Sequence, residues 1–480
     1  MVAVESGLFF EINDHAYTAL KRLEQELGTG DRHATVAAWN SIPSGLRDEL
    51  RQLCTTRILA DPSGLSADFR KAYMKMMLGH RIRSIHLMVT QTCNLACRYC
   101  YGVDNRFSDS GLKMSEKTAE ESVDFLIDAS GRRKRLRVFF FGGEPLLNFE
   151  VITHVVDYAR RKTQPLGKEI FFSISTNGSL LTEKREAYLL DNDFAMLISV
   201  DGPKRHHDRM RPLKSGGGSF DLVARNARRI VRRARWEGQV KLRCTLNHEF
   251  HSGREARRSL SELGTDEIGV GSAIEPASHG TEYDLTRDDL TELIREGDEE
   301  FLEVAETLLG GRMPRYSQFL RAFTVVHKPS RSKIGCGVCR NDLTADVDGN
   351  LYPCHRYVGM DQYVIGNITD GVDQNRVRSY YEDLLEIHDS VCSRCWARYM
   401  CGGHCPWLRA RTDGSHRRPR GWECSTTKGY LEKYIGLYTL LSRERPEFLA
   451  KLVGDPLVEQ SRSWLQKEKA ASSHTETEDD

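Results

Sequence analysis

Cys93, Cys97 and Cys100 crowd the stretch Thr92-Cys93-Asn94-Leu95-Ala96-Cys97-Arg98-Tyr99-Cys100-Tyr101. The spacing C-x3-C-x2-C gathers three thiols and supplies no fourth nearby. A structural zinc site closes with four ligands. A 4Fe–4S cluster also takes four attachments. A cluster on three protein thiolates therefore keeps one iron open to a small molecule. The competing readings are a chance grouping and an incomplete zinc site.

The surrounding chain alternates strand and helix. Strands are expected over Ile85–Val89, Arg137–Phe141, Ile170–Thr176, Ala195–Val200, Lys241–Leu246 and near Glu267–Val270. Helices are expected over Glu116–Ala129, Phe149–Arg161, Glu183–Leu190, Phe220–Arg235 and Arg254–Leu263. Such alternation gives parallel strands with helical crossovers, here an open, partial (β/α)6 barrel of the α/β class. The cysteines follow the first strand, at the end where parallel barrels place their chemistry.

Other strand ends are also distinctive. Gly142-Gly143-Glu144-Pro145 follows the second, and Ser173-Ile174-Ser175-Thr176-Asn177-Gly178 closes the third. Both are also ordinary turn sequences. The fourth ends Ile198-Ser199-Val200-Asp201-Gly202-Pro203, with His207, Asp208 and Arg211 beyond. His206 and His207 read as structural, and Cys244 as a buried small residue. Arg228, Arg229, Arg232, Arg233 and Arg235 read as a solvated helix face. A second cysteine set comprises Cys336, Cys339, Cys354, Cys392, Cys395, Cys401, Cys405 and Cys424. Its C-x2-C pairs also fit a pair of zinc ribbons, which metal analysis separates from iron clusters.

Composition narrows the setting. The net charge of +1 argues against a nucleic-acid partner. No apolar run reaches bilayer length, and Met1 to Phe10 lacks the pattern of a signal peptide. Thirteen cysteines without an export signal point to metal in a reducing cytoplasm.

The first cysteine motif, with Tyr99 before its last cysteine, resembles the radical S-adenosylmethionine (SAM) family. The resemblance implies a catalytic 4Fe–4S cluster on Cys93, Cys97 and Cys100 whose open iron chelates SAM. It also implies reductive cleavage of SAM to a 5′-deoxyadenosyl radical. Tyr99, Gly142, Gly143, Glu144, Ser175, Asn177, Ser199, Arg211 and Leu246 then match positions that contact SAM. Arginine suits the methionine carboxylate because its planar fork binds carboxylates bidentately. The run Gly349-Asn350-Leu351-Tyr352-Pro353-Cys354, a gap, C-x2-C-x5-C-x3-C and a last Cys424 is similar to the SPASM domain of radical peptide maturases. That family's interleaving assigns Cys336, Cys339, Cys354 and Cys405 to one auxiliary 4Fe–4S cluster. It assigns Cys392, Cys395, Cys401 and Cys424 to another, making three clusters in all.

This resemblance divides the chain into an N-terminal unit (1–80), a barrel (81–279), a helical bridge (280–333), a SPASM region (334–426), and a C-terminal helix with a disordered acidic tail (427–480). The first unit, with a strand over Leu8–Ile12, is similar to leader-peptide-recognition domains or is a cap. The implied substrate is a ribosomally made, cysteine-containing peptide or small protein. The implied electron donor is a flavodoxin or ferredoxin. Thioether formation is the expected reaction, as in sactipeptide-type maturases. A carbon–carbon cross-link, epimerisation and formylglycine formation are alternatives, and a non-catalytic zinc scaffold is a remote one. Sulfatase maturases carry an aspartate after the cysteine matching Cys354, where this chain has His355.

Overall fold

Alternate side chains along the expected strands are apolar, and in the computed structural model they share one face of a sheet. Residues 81–104, 109–272, 283–327, 336–392, 395–413 and 421–454 are described, with His416 and scattered positions between 2 and 78. Strands β1 (Ser84–Thr92), β2 (Arg135–Gly142), β3 (Glu169–Thr176), β4 (Ala195–Ser199), β5 (Val240–Leu246) and β6 (Ile268–Ser272) run parallel, each paired with the next. Leu136, Val138 and Phe140 of β2, and Val240, Leu242, Cys244 and Leu246 of β5, are buried. They share a core with α1 (Glu116–Ser130), α2 (Phe149–Thr163), α3 (Glu183–Asp191), α4 (Phe220–Arg233) and α5 (Gly253–Ser261). The opposite face carries Arg137, Phe139, Phe141, Lys241, Arg243 and Thr245, all half-buried. Fully covered parallel strands read as unbroken apolar runs. The alternation here marks an inner face that lines a polar lumen.

The helices start where short polar side chains can cap them. Ser115 accepts from Thr118 N at 3.0 Å and Ser252 from Glu255 N at 3.0 Å, satisfying first-turn donors of α1 and α5. On α4, Arg229 and Arg233 both pair with the fully buried Glu186 of α3. Two members of the arginine run therefore tie helices together.

The sheet continues past β1 with residues from far down the chain. β7 (Asp342–Ala345) pairs parallel with β1, Asp342 opposite Ser84 and Ala345 opposite Leu87. β8 (Asn350–Tyr352), β9 (Gly366–Asn367) and β10 (Gly371–Val372) follow antiparallel. The cysteine-rich region is thus hydrogen-bonded into the barrel sheet. Parallel pairing between such distant segments leaves no local sequence signature, and the sequence reading did not anticipate it.

A second core joins α6 (Arg287–Leu309) and α7 (Arg321–His327) to α8 (Gly421–Glu444) and α9 (Pro446–Gly454), through Leu308, Phe323, Tyr434 and Leu441. Helix α8 begins before the expected Thr427 and includes Cys424. Near the N-terminus Leu8–Phe9 pairs antiparallel with Val2–Ala3. The remainder of the expected strand to Ile12, the helical stretches before residue 54 and the tail from Lys467 lie outside the described residues. No described helix is long and apolar enough to cross a membrane.

Phe140 is fully buried, its ring 5.7 Å from Phe194 and 6.2 Å from Phe172. Replacing it by alanine should cost about 3–5 kcal/mol, measured as a drop in the urea midpoint of the barrel.

Candidate functional site

At the top of the barrel the backbone of β2 runs against the cysteine loop. Gly143 N donates to Thr90 O at 3.0 Å and Glu144 N to Thr92 O at 2.9 Å. A Cβ on Gly143 would stand 2.3 Å from Thr92 O and 2.9 Å from Cys93 N. A Cβ on Gly142, whose φ is +141°, would stand 2.3 Å from Thr90 O. These two glycines thus have a reason within the chain: only they let β2 close on the segment that leads into Cys93.

Glu144 then locks β2 to β3. Its buried carboxylate accepts from Thr176 Oγ1 at 2.7 Å, Asn177 N at 2.7 Å and Leu146 N at 3.1 Å. Burial pushes its pKa up, while these donors act the other way. Asn177 Nδ2 donates to Asn94 Oδ1 at 2.9 Å and reaches Cys93 Sγ at 3.8 Å. Asn177 Oδ1 takes Ser179 Oγ at 2.6 Å. The carboxamide is therefore a link between β3 and the cysteine loop.

The other side of the loop is held by residues after β4. Ala96 N donates to Pro212 O at 2.9 Å and Arg98 N to Met210 O at 3.0 Å. Tyr99 OH donates to the buried Asp201 carboxylate and accepts from Arg211 Nη1 at 2.7 Å. Asp201 also accepts from Thr245 N at 3.0 Å and lies 3.8 Å from Arg211. Burial works against the Arg211 charge, yet Cys97, Tyr99 and Asp201 hold its pKa well above the ordinary arginine value. Arg211 Nε is buried without a hydrogen-bond partner, a donor left for an acceptor at the thiols. Sequence reasoning did not single out Asp201, although it sits in the quoted Ser199-Val200-Asp201-Gly202 segment.

His207 supports this arrangement from behind. Asp201 N donates to its Nδ1 at 3.1 Å, and Nε2 faces Ser219 Oγ at 3.0 Å. Ser219 in turn donates to Arg211 O at 2.6 Å. The imidazole is fully buried and structural, as the sequence suggested. Ser175 and Ser199 lie on lumen-facing, half-buried positions near the ends of β3 and β4. Leu246, 3% exposed, shares the core face of β5 with Leu242 and Cys244.

The donor chemistry fits a metal cluster. Cys93, Cys97 and Cys100 are free, half-buried thiols. Burial above all pushes Cys93 and Cys97 up to about 11, and Arg211 opposes the rise at both. Metal binding would displace those protons. The remaining thiols form two neighbourhoods. In one, Cys405 acts on the charge of Cys336 and Cys354, and both of these act on Cys339. In the other, Cys395, Cys401 and Cys424 act on Cys392, and Cys395 acts on Cys401 and Cys424. Burial is the main cause of the raised pKa of Cys336, Cys339, Cys354, Cys392, Cys401 and Cys424. Among the described residues no three Cys, His, Asp or Glu side chains already stand as a finished metal site. The fit rests on the thiol set, the glycine-built seat and the open donor of Arg211.

Sequence reasoning missed the contents of the lumen. His86 of β1 stacks on Phe139 at 4.9 Å and on His355 at 5.7 Å, and His355 meets Phe141 at 4.5 Å. Arg356 lies over Trp407 at 5.0 Å and Tyr101 at 5.7 Å. The only prior signal was the polar half of each alternating strand.

A parallel partial barrel here carries three thiols just past the end of its first strand. Residues 87–248 match the family model of the Radical SAM superfamily, and the chain carries a radical SAM domain there. It is similar to the cysteine-type anaerobic sulfatase-maturating enzyme of Clostridium perfringens (strain 13 / Type A), 26% identical over 354 residues, which cover 71% of this chain and 92% of that one. It also resembles the radical SAM cyclopropyl synthase TigE of Paramaledivibacter caminithermalis, 30% identical over 164 residues, 31% of this chain and 34% of that one. Among solved structures, native anSMEcpe with bound AdoMet and Cp18Cys peptide aligns with a TM-score of 0.62 at 22% identity, covering 74% of this chain and 98% of that one. That likeness establishes the shared fold.

Gly143→Ala should displace Thr92 and Cys93. The expected result is at least a tenfold loss of dithionite-driven SAM cleavage, about 1.4 kcal/mol or more, with less iron retained after reconstitution. A second expectation concerns His207. Burial first, then Arg211, His206 and Lys204, pushes its pKa from 6.5 down to about 2. The unfolded chain therefore binds a proton that the native chain does not. Stability is whole above the unfolded value and falls as pH drops below it, by up to about 1.4 kcal/mol per pH unit. His207→Asn should flatten that slope between pH 7 and pH 5, read from urea midpoints.

Proposed function

We propose that this chain is a radical SAM maturase acting on a peptide or small protein, and that it closes thioether bonds within its substrate. The carrying observation is the pairing of one three-thiol loop, seated by Gly142 and Gly143 beside Arg211, with two further thiol neighbourhoods in the same chain, the first of which flanks strands of the same sheet. Cys93, Cys97 and Cys100 would hold the catalytic cluster. The Cys336, Cys339, Cys354 and Cys405 set and the Cys392, Cys395, Cys401 and Cys424 set would hold auxiliary ones. Bound there, SAM and the clusters would supply one-electron chemistry: reductive cleavage of SAM, removal of a substrate hydrogen atom, and a sink for the electron released as the substrate thiol loses its proton and its sulfur bonds to carbon. Arg211 offers a guanidinium N–H for the SAM carboxylate. Asn177 directs an amide N–H at Cys93 Sγ. Phe139, Phe141 and Tyr101 give the lumen aromatic walls that keep water from a reactive carbon. A small-protein substrate accords with the sulfatase-maturating relatives.

A second reading, formylglycine formation on a sulfatase, is favoured by those same relatives. His355, packed against Phe141 in the lumen, weighs for the first reading, because the sulfatase pattern places an aspartate there. Co-expression with any short cysteine-containing reading frame found beside its gene tests the proposal. A thioether product is two hydrogens lighter per bond and its cysteine resists alkylation. A product that reacts with hydrazide instead supports formylglycine. Failure of the anaerobic, dithionite-reduced protein to release methionine from SAM overturns the reading.

A further inference from the structure

Arg243 is a lumen residue that the proposed chemistry leaves unused. It lies on the inner face of β5, half-buried, opposite Gly269 of β6. Its guanidinium lies over β6, where a Cβ on Gly271 would stand 2.5 Å from Nη2. Gly269 and Gly271 alternate with Ile268 and Val270, which turn to the helix-side core. The inner wall of β6 is thus bare there, and Arg243 occupies part of the space that the glycines open.

The electrostatics around Arg243 are one-sided. Burial, then Arg356, lowers its pKa, and Cys244, Tyr99 and Asp201 only partly offset this. Asp201 is already engaged by Tyr99, Thr245 N and Arg211. The Arg243 side chain makes no hydrogen bond or ion pair with a described residue, while its carbonyl accepts from Val200 N at 2.9 Å. Arg356 is held across the lumen by the Trp407 and Tyr101 rings. Two guanidinium groups that repel one another in a partly buried cavity are stabilised by an anion placed between them. A planar fork favours a carboxylate.

We infer that Arg243, with Arg356, binds a carboxylate of the substrate peptide, so that an Asp or Glu stands at a fixed distance from the modified residue. This rests on the peptide-maturase reading. Arg243 is a specificity residue in this scheme: it orients the peptide across the thiol loop, and the Gly269–Gly271 wall leaves the peptide backbone room to pass. SAM also carries a carboxylate, and the two sources separate experimentally.

The test is a displayed peptide library with one fixed cysteine and randomised flanks, selected on the reconstituted full-length protein with SAM bound. Wild type should enrich Asp or Glu at one offset from the cysteine. Exchanging that residue for Asn or Gln in a selected peptide should weaken binding about tenfold or more. Arg243→Gln should lose the enrichment, and Arg243→Lys, which keeps the charge, should recover part of it. Wild-type selection without an acidic position overturns the inference, as does enrichment that persists in Arg243→Gln. SAM affinity that falls in Arg243→Gln as far as peptide affinity assigns the carboxylate to SAM and also overturns it. A wild-type protein that cleaves SAM but selects no peptide overturns the maturase reading and this inference with it. One that cleaves no SAM overturns the radical SAM reading itself.

Discussion

The close approach of β2 to the end of β1 governs the upper face of this barrel. Gly143 N and Glu144 N reach Thr90 O and Thr92 O, and no side chain fits in the gap. The next residue is Cys93. Its thiol is placed by backbone hydrogen bonds, and Glu144, Asn177 and Asn94 carry that placement across to β3. Tyr99, Asp201 and Arg211 secure the far side of the loop to the residues after β4. Three strands thereby define one short segment, and its cysteines come from a loop with little freedom left.

Several residues serve the cysteine loop where the family resemblance pointed to SAM. Gly142, Gly143 and Glu144 make their visible contacts with the loop and with β3. The Tyr99 hydroxyl is taken by Asp201 and Arg211. Preorganisation of this kind is what a site needs when the bound groups do the chemistry and the protein supplies position.

The barrel was readable because its strands alternate. Leu136, Val138 and Phe140 announce a core face, and Arg135, Arg137 and Phe139 between them announce a different environment. The helix starts expected at Glu116 and Arg254 fall at, or one residue after, the starts that Ser115 and Ser252 cap. Cys244 was readable as buried because it falls in step with Leu242. The pairing of β7 with β1 was not readable, because Asp342 and Ser84 meet only through the completed fold. Nor was the lumen, since Arg243, Arg356, His86 and His355 come from separate segments and no spacing links them. The buried Asp201 was missed for a related reason: its partners Tyr99, Arg211 and Thr245 are distant in the chain. Before residue 80 the described structure holds the short Leu8–Phe9 pairing and scattered single positions.

Strand β7 lies in register along β1, and Cys339 precedes it while Cys354 follows β8. The loop with Cys93 leaves the far end of that same β1. Covalent geometry and ladder hydrogen bonds therefore hold the two thiol regions on one plank, with no hinge between them in the sheet. Electron tunnelling decays exponentially with distance, so redox centres carried on a hinged pair of bodies would exchange charge in bursts. Redox centres bound at both thiol regions would keep a constant gap on a shared sheet, so thermal swinging of the C-terminal region would not set the pace of electron exchange between them.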